Sequence, residues 1–348
     1  MQHQYHYNYQ LIPGFSFEQR RHSTVLAINK SNTMVYSAGD NKIVVFQLKN
    51  GLRQLQQVKS HSIKITTLNV FNQNSGLVSG SLDASIVLWS LVMNRDFKYL
   101  ARLKEHKNEV TCLVLHPFQS NLIISGSDDQ SIKFWTFNCL QFSNKKSWYC
   151  SQTISQHNST VSQISISQDG NKLISCSNKL IIVISYSVQN LWQVNQLIQL
   201  SEVGVRLSFI NDNLFAYQPW TGKSLHIYKL DSIENQYVKS KEVAVQGQKD
   251  ACWSYFPAIY APSKNILICK NGYKINVLKF IFSSSDSDWQ CHLEQSINYK
   301  HNWVFGTLSA DGQYLITSDW FSKSIQIRQL TYQENIEQQV ENNISNYL

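Results

Sequence analysis

Two stretches of this 348-residue chain bring a hydroxyl, an imidazole and a carboxylate close together in sequence. The first holds His61, Ser79 and Asp83, followed by Trp89. The second holds His106, Ser125 and Asp129, followed by Trp135. A serine becomes a nucleophile when an imidazole takes its proton and an acid orients that imidazole. Neither serine sits in a G-x-S-x-G elbow that would lift its hydroxyl out of a sheet. Each instead ends a run of apolar residues. In such a place the same groups satisfy one another, because a buried carboxylate needs donors and His, Ser and backbone N–H supply them. The two sets are therefore expected to be structural, with no catalytic residue among them.

Other chemistry-bearing motifs are weaker. Thr221-Gly222-Lys223-Ser224 resembles the end of a phosphate-binding loop, but position 217 is Tyr where that loop needs Gly, and no helical pattern follows. Met1-Gln2-His3 could chelate copper or nickel through amine, amides and imidazole, but it lies in a polar terminus. Asp286 and Asp288 lie in a Ser-rich stretch too short for a calcium loop. The cysteines, seven in all, are scattered and contain no C-x-x-C pair, which speaks against a zinc site or a disulfide scaffold. No H-E-x-x-H occurs. The sequence predicts no cofactor and no metal.

The elements that would position these residues repeat along the chain. From His61, His106 and His157 the same order recurs: His, an alternating apolar strand, a polar turn, a strand ending in Ser, a turn with Asp or Asn, and a third apolar strand. Copies also start at His22 and His301. The steps from His22 to His61, His106 and His157 are 39, 45 and 51 residues, near the 40–45 of propeller blades. The longest step predicts an insertion near Phe142 to Tyr149. The 144 residues from His157 to His301 leave room for two further blades, with candidates from Val205 and Tyr255. The count is seven. Short strands of period two must bury both faces, and radial stacking does this while leaving only short edges.

On these residues the chain resembles the WD-repeat family, most closely from 61 to 136. The resemblance implies an inter-strand His, a strand Ser or Thr, a turn Asp and a strand Trp bonded within each blade. All four are present at His61, Ser79, Asp83 and Trp89, and at His106, Ser125, Asp129 and Trp135. The blade at His22 keeps Ser37 and Asp40 but has Phe46 for Trp. The blade at His157 keeps Ser175 with Asn178 at the turn, and the last keeps His301, Thr317 and Asp319. The expected fold is all-β: one seven-bladed WD-repeat propeller with a short C-terminal helical tail. The expected limits are a flexible N-terminus over 1–14, the propeller over 15–330 and an amphipathic helix or tail over 331–348. Phe15 and Phe17 are expected on the strand that closes the ring.

Function is expected in binding rather than catalysis. The formal net charge is +8, which suits acidic partners: acidic protein segments first, nucleic acid in a ribonucleoprotein or chromatin complex as the alternative. The loops around the His and Asp positions share one rim. That rim carries Arg20, Arg21, Lys59, Lys107, Lys223, Lys300 and Lys323, with Trp220, Trp320 and Phe321 among them. Exposed aromatics ringed by cations make interface hot spots, although Trp220 and Trp320 could equally fold back as plugs. In the tail, Tyr332, Ile336, Val340, Ile344 and Leu348 form a stripe of step four. That stripe could dock on the propeller, bind a partner or stay disordered. Met1 to Gln10 lacks the layout of a signal peptide and Leu180 to Ile184 is too short to span a bilayer. The chain reads as a cytoplasmic or nuclear monomer within a hetero-complex, without membrane insertion.

Overall fold

The computed structural model describes residues 5–19, 22–71, 76–90, 98–139, 146–247, 256–283 and 289–334. Its strands fall into seven four-stranded antiparallel sheets. Blade 1 is β2 (Val25–Ile28), β3 (Met34–Ala38), β4 (Lys42–Leu48) and β5 (Leu52–Lys59). Blade 2 is β6 (Ile65–Val70), β7 (Gly76–Ser81), β8 (Ile86–Ser90) and β9 (Lys98–Leu103). Blade 3 is β10 (Val110–Leu115), β11 (Leu122–Ser127), β12 (Ile132–Cys139) and β13 (Lys146–Ile154). Blade 4 is β14 (Gln163–Ile166), β15 (Lys172–Ser177), β16 (Leu180–Tyr186) and β17 (Trp192–Gln199). Blade 5 is β18 (Gly204–Asn211), β19 (Leu214–Pro219), β20 (Ser224–Asp231) and β21 (Gln236–Ala244). Blade 6 is β22 (Ile259–Ala261), β23 (Ile266–Asn271), β24 (Lys274–Phe282) and β25 (Trp289–Asn298). Blade 7 is β26 (Val304–Leu308), β27 (Tyr314–Asp319) and β28 (Ser324–Glu334), completed on its outside by β1 (Tyr5–Glu18).

The core is divided among the interfaces. Seven buried apolar clusters each join two neighbouring blades. Strand alternation decides which cluster a residue joins. Phe134 packs between blades 3 and 4, while the next residue, Trp135, packs between blades 2 and 3. Fully burying a large apolar side chain stabilises by about 1.5–3 kcal/mol, so each blade is held by neighbours on both sides.

Ring closure starts earlier than the composition suggests. β1 begins at Tyr5, inside the segment expected to be flexible, and pairs Tyr9 with Leu330 and Phe17 with Ile325. Tyr9 is buried and its hydroxyl donates to the Gly312 carbonyl at 2.6 Å. The same pairing corrects the reading of Tyr332. It lies in β28 opposite Tyr7, not on a helix, because β1 offers its backbone a partner past Leu330. Lys264 Nζ donates to the Tyr332 hydroxyl at 2.7 Å. Ile336, Val340, Ile344 and Leu348 lie outside the described residues, as do residues 142–145 of the insertion expected from Phe142 to Tyr149, the rest of which lies in β13.

Candidate functional site

Blade 3 carries the full network. Trp135 Nε1–H donates to Ser125 Oγ at 2.8 Å, and Ser125 Oγ lies 2.7 Å from His106 Nε2. His106 Nδ1 lies 2.8 Å from Asp129. That carboxylate also accepts the Lys107 N–H at 2.9 Å and the Ser131 N–H at 3.0 Å. Burial lowers the His106 pKa. For Asp129 burial acts upward, but hydrogen bonds from Ser131, Lys107 and His106 outweigh it and hold the carboxyl at about 2. A neutral imidazole therefore donates Nδ1–H to an ionised Asp129 and accepts from Ser125. Blade 2 repeats the His–Ser–Asp part, with His61 Nε2 to Ser79 at 2.8 Å and Nδ1 to Asp83 at 3.1 Å, but the expected bond from the Trp89 indole to Ser79 is not made and Ser79 Oγ lies 3.2 Å from Ser60 Oγ instead.

The bonding order is that of an acyl-transfer triad, but its surroundings are not. Ser79 and Ser125 have no exposed surface, and the Ser125 oxygen already accepts an indole N–H. No substrate reaches it. These networks tie the first loop of each blade to the turn that follows its second strand.

Blades 1, 5 and 7 fill the same slot with different side chains. In blade 1, Gln19 Nε2 donates to Ser37 Oγ at 3.0 Å and Ser23 also bonds Ser37. His22, expected in this role, instead stacks on Trp320. The smaller groups leave a cavity of about 620 Å³ lined by His22, Asp40, Lys42 and Gln54 among others. In blade 7 the Tyr299 hydroxyl donates to Thr317 at 2.9 Å, and His301 is displaced toward the surface, its Nε2 2.6 Å from Asp319. In blade 5 the Tyr217 ring occupies the slot, and its hydroxyl donates to the Glu202 carbonyl at 2.9 Å. Spacing carries the missed signal. Gln19 and Tyr299 lie 18 residues before Ser37 and Thr317, as His61 lies 18 before Ser79.

Blade 4 keeps half of the network. His157 Nε2 lies 2.8 Å from Ser175 Oγ. Its turn is only Asn178-Lys179, since Ser177 already pairs with Leu180. That is two residues shorter than the turn that carries Asp129 between Ser127 and Ile132. No acid reaches the imidazole, and Nδ1 is buried without a hydrogen-bond partner among the described residues. Burial pushes the His157 pKa down to about 4.

The central channel holds a cavity of about 480 Å³ lined by the innermost strands, with Thr66, Asn69, Thr111, Gln163 and Ser165 among its polar groups. No carboxylate or histidine of the described residues lines it. Among the described residues no three His, Cys, Asp or Glu side chains are grouped to hold a metal ion. Thr221 to Lys223 form the hairpin turn between β19 and β20, with no helix after them.

On the rim the two loop sets meet through backbone bonds: Ser60 N–H to the Asn41 carbonyl, Trp220 N–H to Val203, Trp320 N–H to Trp303 and Gln19 N–H to Lys323. Lys59, Lys107, Lys223, Lys300 and Lys323 are exposed there, whereas Arg20 and Arg21 lie outside the described residues. Trp320, Phe321 and Lys323 share the turn of blade 7 that meets Gln19 at the entry of blade 1, and Lys300 enters blade 7 next to His301. Trp320 is half-buried between His22 and Trp303, and Phe321 is 68% exposed with its ring 4.3 Å from His301. Trp220 and Lys223 stand apart on blade 5, where half-buried Trp220 lines a cavity of about 820 Å³ with Val203, Val205 and Lys179. Lys59 and Lys107 belong to the entries of blades 2 and 3. No described helix is long and apolar enough to cross a membrane.

A closed ring of seven four-stranded blades, with buried His–Ser–Asp networks in blades 2 and 3 and the Trp bonded in blade 3, is the architecture of a seven-bladed β-propeller. The WD40 family (WD domain, G-beta repeat) matches residues 52–90, 97–136 and 138–185, and the seven-bladed ring is consistent with that family. It is 30% identical over 115 residues to nuclear distribution protein PAC1 of Komagataella phaffii, covering 29% of this chain and 23% of that one. It is 34% identical over 117 residues to pre-mRNA-processing factor 19 of Bos taurus, covering 33% and 21%. It is 28% identical over 128 residues to cell division cycle 20.1, cofactor of APC complex, of Arabidopsis thaliana, covering 32% and 28%. The chain spans about a quarter of the length of the curated relatives it matches.

Proposed function

We propose that this chain is a non-catalytic platform in an intracellular multiprotein complex and that its rim holds an acidic segment of a partner protein. The observation that carries this reading is the corner between blades 7 and 1. Phe321 is 68% exposed beside exposed Lys300 and Lys323. Asp319, two residues before Phe321, is already engaged by His301. An aromatic that buries area beside unopposed cations suits an acidic, partly apolar segment. Buried network hydroxyls and a channel lined by neither acid nor histidine favour binding over catalysis. The name of the Arabidopsis relative, a cofactor of a complex, is in keeping with a platform role.

The test is recovery of partners by the full chain against Phe321→Ala combined with Lys323→Glu, whose melting temperature should match wild type. Loss of specific partners supports the rim, and unchanged recovery refutes it. Capture of nucleic acid that falls steeply with salt would replace this reading, because phosphate-driven binding follows log salt.

A further inference from the structure

The outermost strand of a blade has one edge without a strand partner, and in this ring a side chain of the preceding blade covers several of those edges. Gln152 of blade 3 accepts the Trp192 N–H at 2.9 Å and donates to the Trp192 carbonyl at 2.5 Å. Gln196 of blade 4 does the same to Tyr237, at 2.8 and 2.9 Å. Gln295 of blade 6 does it to Tyr9, at 2.8 and 3.3 Å. In blade 5, Lys241 stands at this place, donates to the Trp289 carbonyl at 3.2 Å and lies over that indole at 4.6 Å. The covering residue is always opposite the residue just before a bulge: Phe134, Val183, Ile227 and Val277.

At the seam between blades 2 and 3 that register position, opposite Leu88, is Ala101. A methyl group neither donates nor accepts. The edge residue it should cover is Trp148, paired with Phe137 as Trp192 is with Tyr186. The registers coincide, since Phe137 and Tyr186 N–H bond back to Asn121 and Asn171 in the same way. Among the described residues no side chain bonds the Trp148 backbone. Its ring is half-buried, whereas Trp192, Tyr237 and Tyr9 are 5%, 3% and 2% exposed. Tyr99, Leu100 and Tyr149 beside it are 56%, 56% and 43% exposed. β9 and β13 together carry Lys98, Arg102 and Lys146 and no carboxylate.

We propose that the open edge of β13 takes an extended segment of a partner protein as a fifth strand of blade 3. Its main chain bonds at Trp148, its apolar side chains seat on Tyr99, Leu100 and Tyr149, and its carboxylates face Lys98. Unpaired strand edges are templates for such addition, and the absence of acid on both outer strands selects an acidic, alternating segment. The surface lies on the circumference, apart from the rim, so its test is independent of the rim's.

The probe is a short fluorescein-labelled peptide alternating Val and Glu, read by fluorescence anisotropy against the full chain. Wild type should bind it. Ala101→Gln, which supplies the missing amide, should weaken binding by about tenfold, the weight of one or two main-chain hydrogen bonds, without lowering the melting temperature. Leu100→Glu should weaken it by adding like charge and removing an apolar seat, and keeps the test alive if Ala101→Gln fails to fold. A peptide with Pro for its central Val residues should not bind, since Pro lacks the donor. No binding by wild type, or equal binding by the variants and the Pro peptide, overturns the proposal. A wild-type dimer that Ala101→Gln dissolves, seen by light scattering, would also overturn it by making a second copy the occupant.

Discussion

Replacing His157 by Gln should remove a large share of the chain's sensitivity to mild acid. His157 is 6% exposed, keeps one bond through Nε2 to Ser175, and has no acid at Nδ1. Its pKa falls from 6.5 to about 4 on folding. A group whose folded pKa is depressed contributes stability that is whole above its unfolded pKa and is lost as pH falls through the window down to the folded value. The window is therefore pH 6.5 to about 4. At about 1.36 kcal/mol per pKa unit, a shift of about 2.5 units is worth ~3 kcal/mol. For a domain of this size that is roughly 6 °C, taking ~2 °C per kcal/mol. Blade 1 shows that Gln can serve the slot, since Gln19 donates to Ser37. The assay is urea unfolding of wild type and His157→Gln at several pH values. The two should differ little at pH 7.5 by comparison with the change below it, and wild type should lose ~3 kcal/mol more than the variant between pH 6.5 and 4. Parallel losses would refute the assignment of an uncompensated buried imidazole.

Asp129→Ala should destabilise by about 3 kcal/mol, since His106, Lys107 and Ser131 lose a charged acceptor. Because the Asp129 pKa is lowered, the wild-type advantage should be whole above about pH 4 and close toward pH 2 in the same urea assay. Deleting residues 1–18 removes the closing strand with Tyr9, Ile12, Phe15 and Phe17. Calorimetry should register a loss of about 5 kcal/mol or more, and an unchanged melting temperature would contradict closure by β1. Gln196→Ala should cost about 2 kcal/mol by stripping both bonds from the Tyr237 backbone. Gly204→Ala should cost about 3 kcal/mol, the upper end for overpacking, because a Cβ there would stand 2.0 Å from the Tyr217 ring.

The ring was legible because strand rhythm survives where individual residues do not. The blade read from Val205 begins one residue earlier, at Gly204, although it keeps neither the His nor the Asp of blades 2 and 3. The network of blade 3, and the His–Ser–Asp part of that in blade 2, were legible because residue type and spacing agree there. In blades 1 and 7 they disagree. Type points to His22 and His301, whereas the 18-residue spacing points to Gln19 and Tyr299, and the backbone follows spacing because the loop length fixes which side chain faces the serine or threonine. The closing strand was legible at Phe15 and Phe17, while its first part was hidden by its polar composition. Tyr5, Tyr7 and Tyr9 alternate with His and Asn, which is a period-two pattern, and Tyr9 is buried where Tyr7 is half-buried. On the rim, sequence could not tell a stacked Trp320 from an exposed Phe321. That difference depends on His22 and Trp303 arriving from separate segments.

What the blades share is a slot and not a set of residues. An imidazole, a carboxamide and a phenol all hydrogen-bond and all fill space between the first loop and the second strand, so each can hold that corner at a different strength. The substitutions have unequal consequences. Gln19 and Ser23 leave a cavity, Tyr217 demands a glycine, and His157 without its acid leaves a buried nitrogen that acid can protonate. The same holds for the outer edges, where Gln, Lys and Ala occupy one register position with different capacities to cover the next strand. A repeat that tolerates such exchanges at every blade keeps its shape, while each exchange alters one local surface. The features that distinguish this propeller are therefore to be sought at the blades that depart from the pattern: the rim corner of blades 7 and 1, and the open edge beside Ala101.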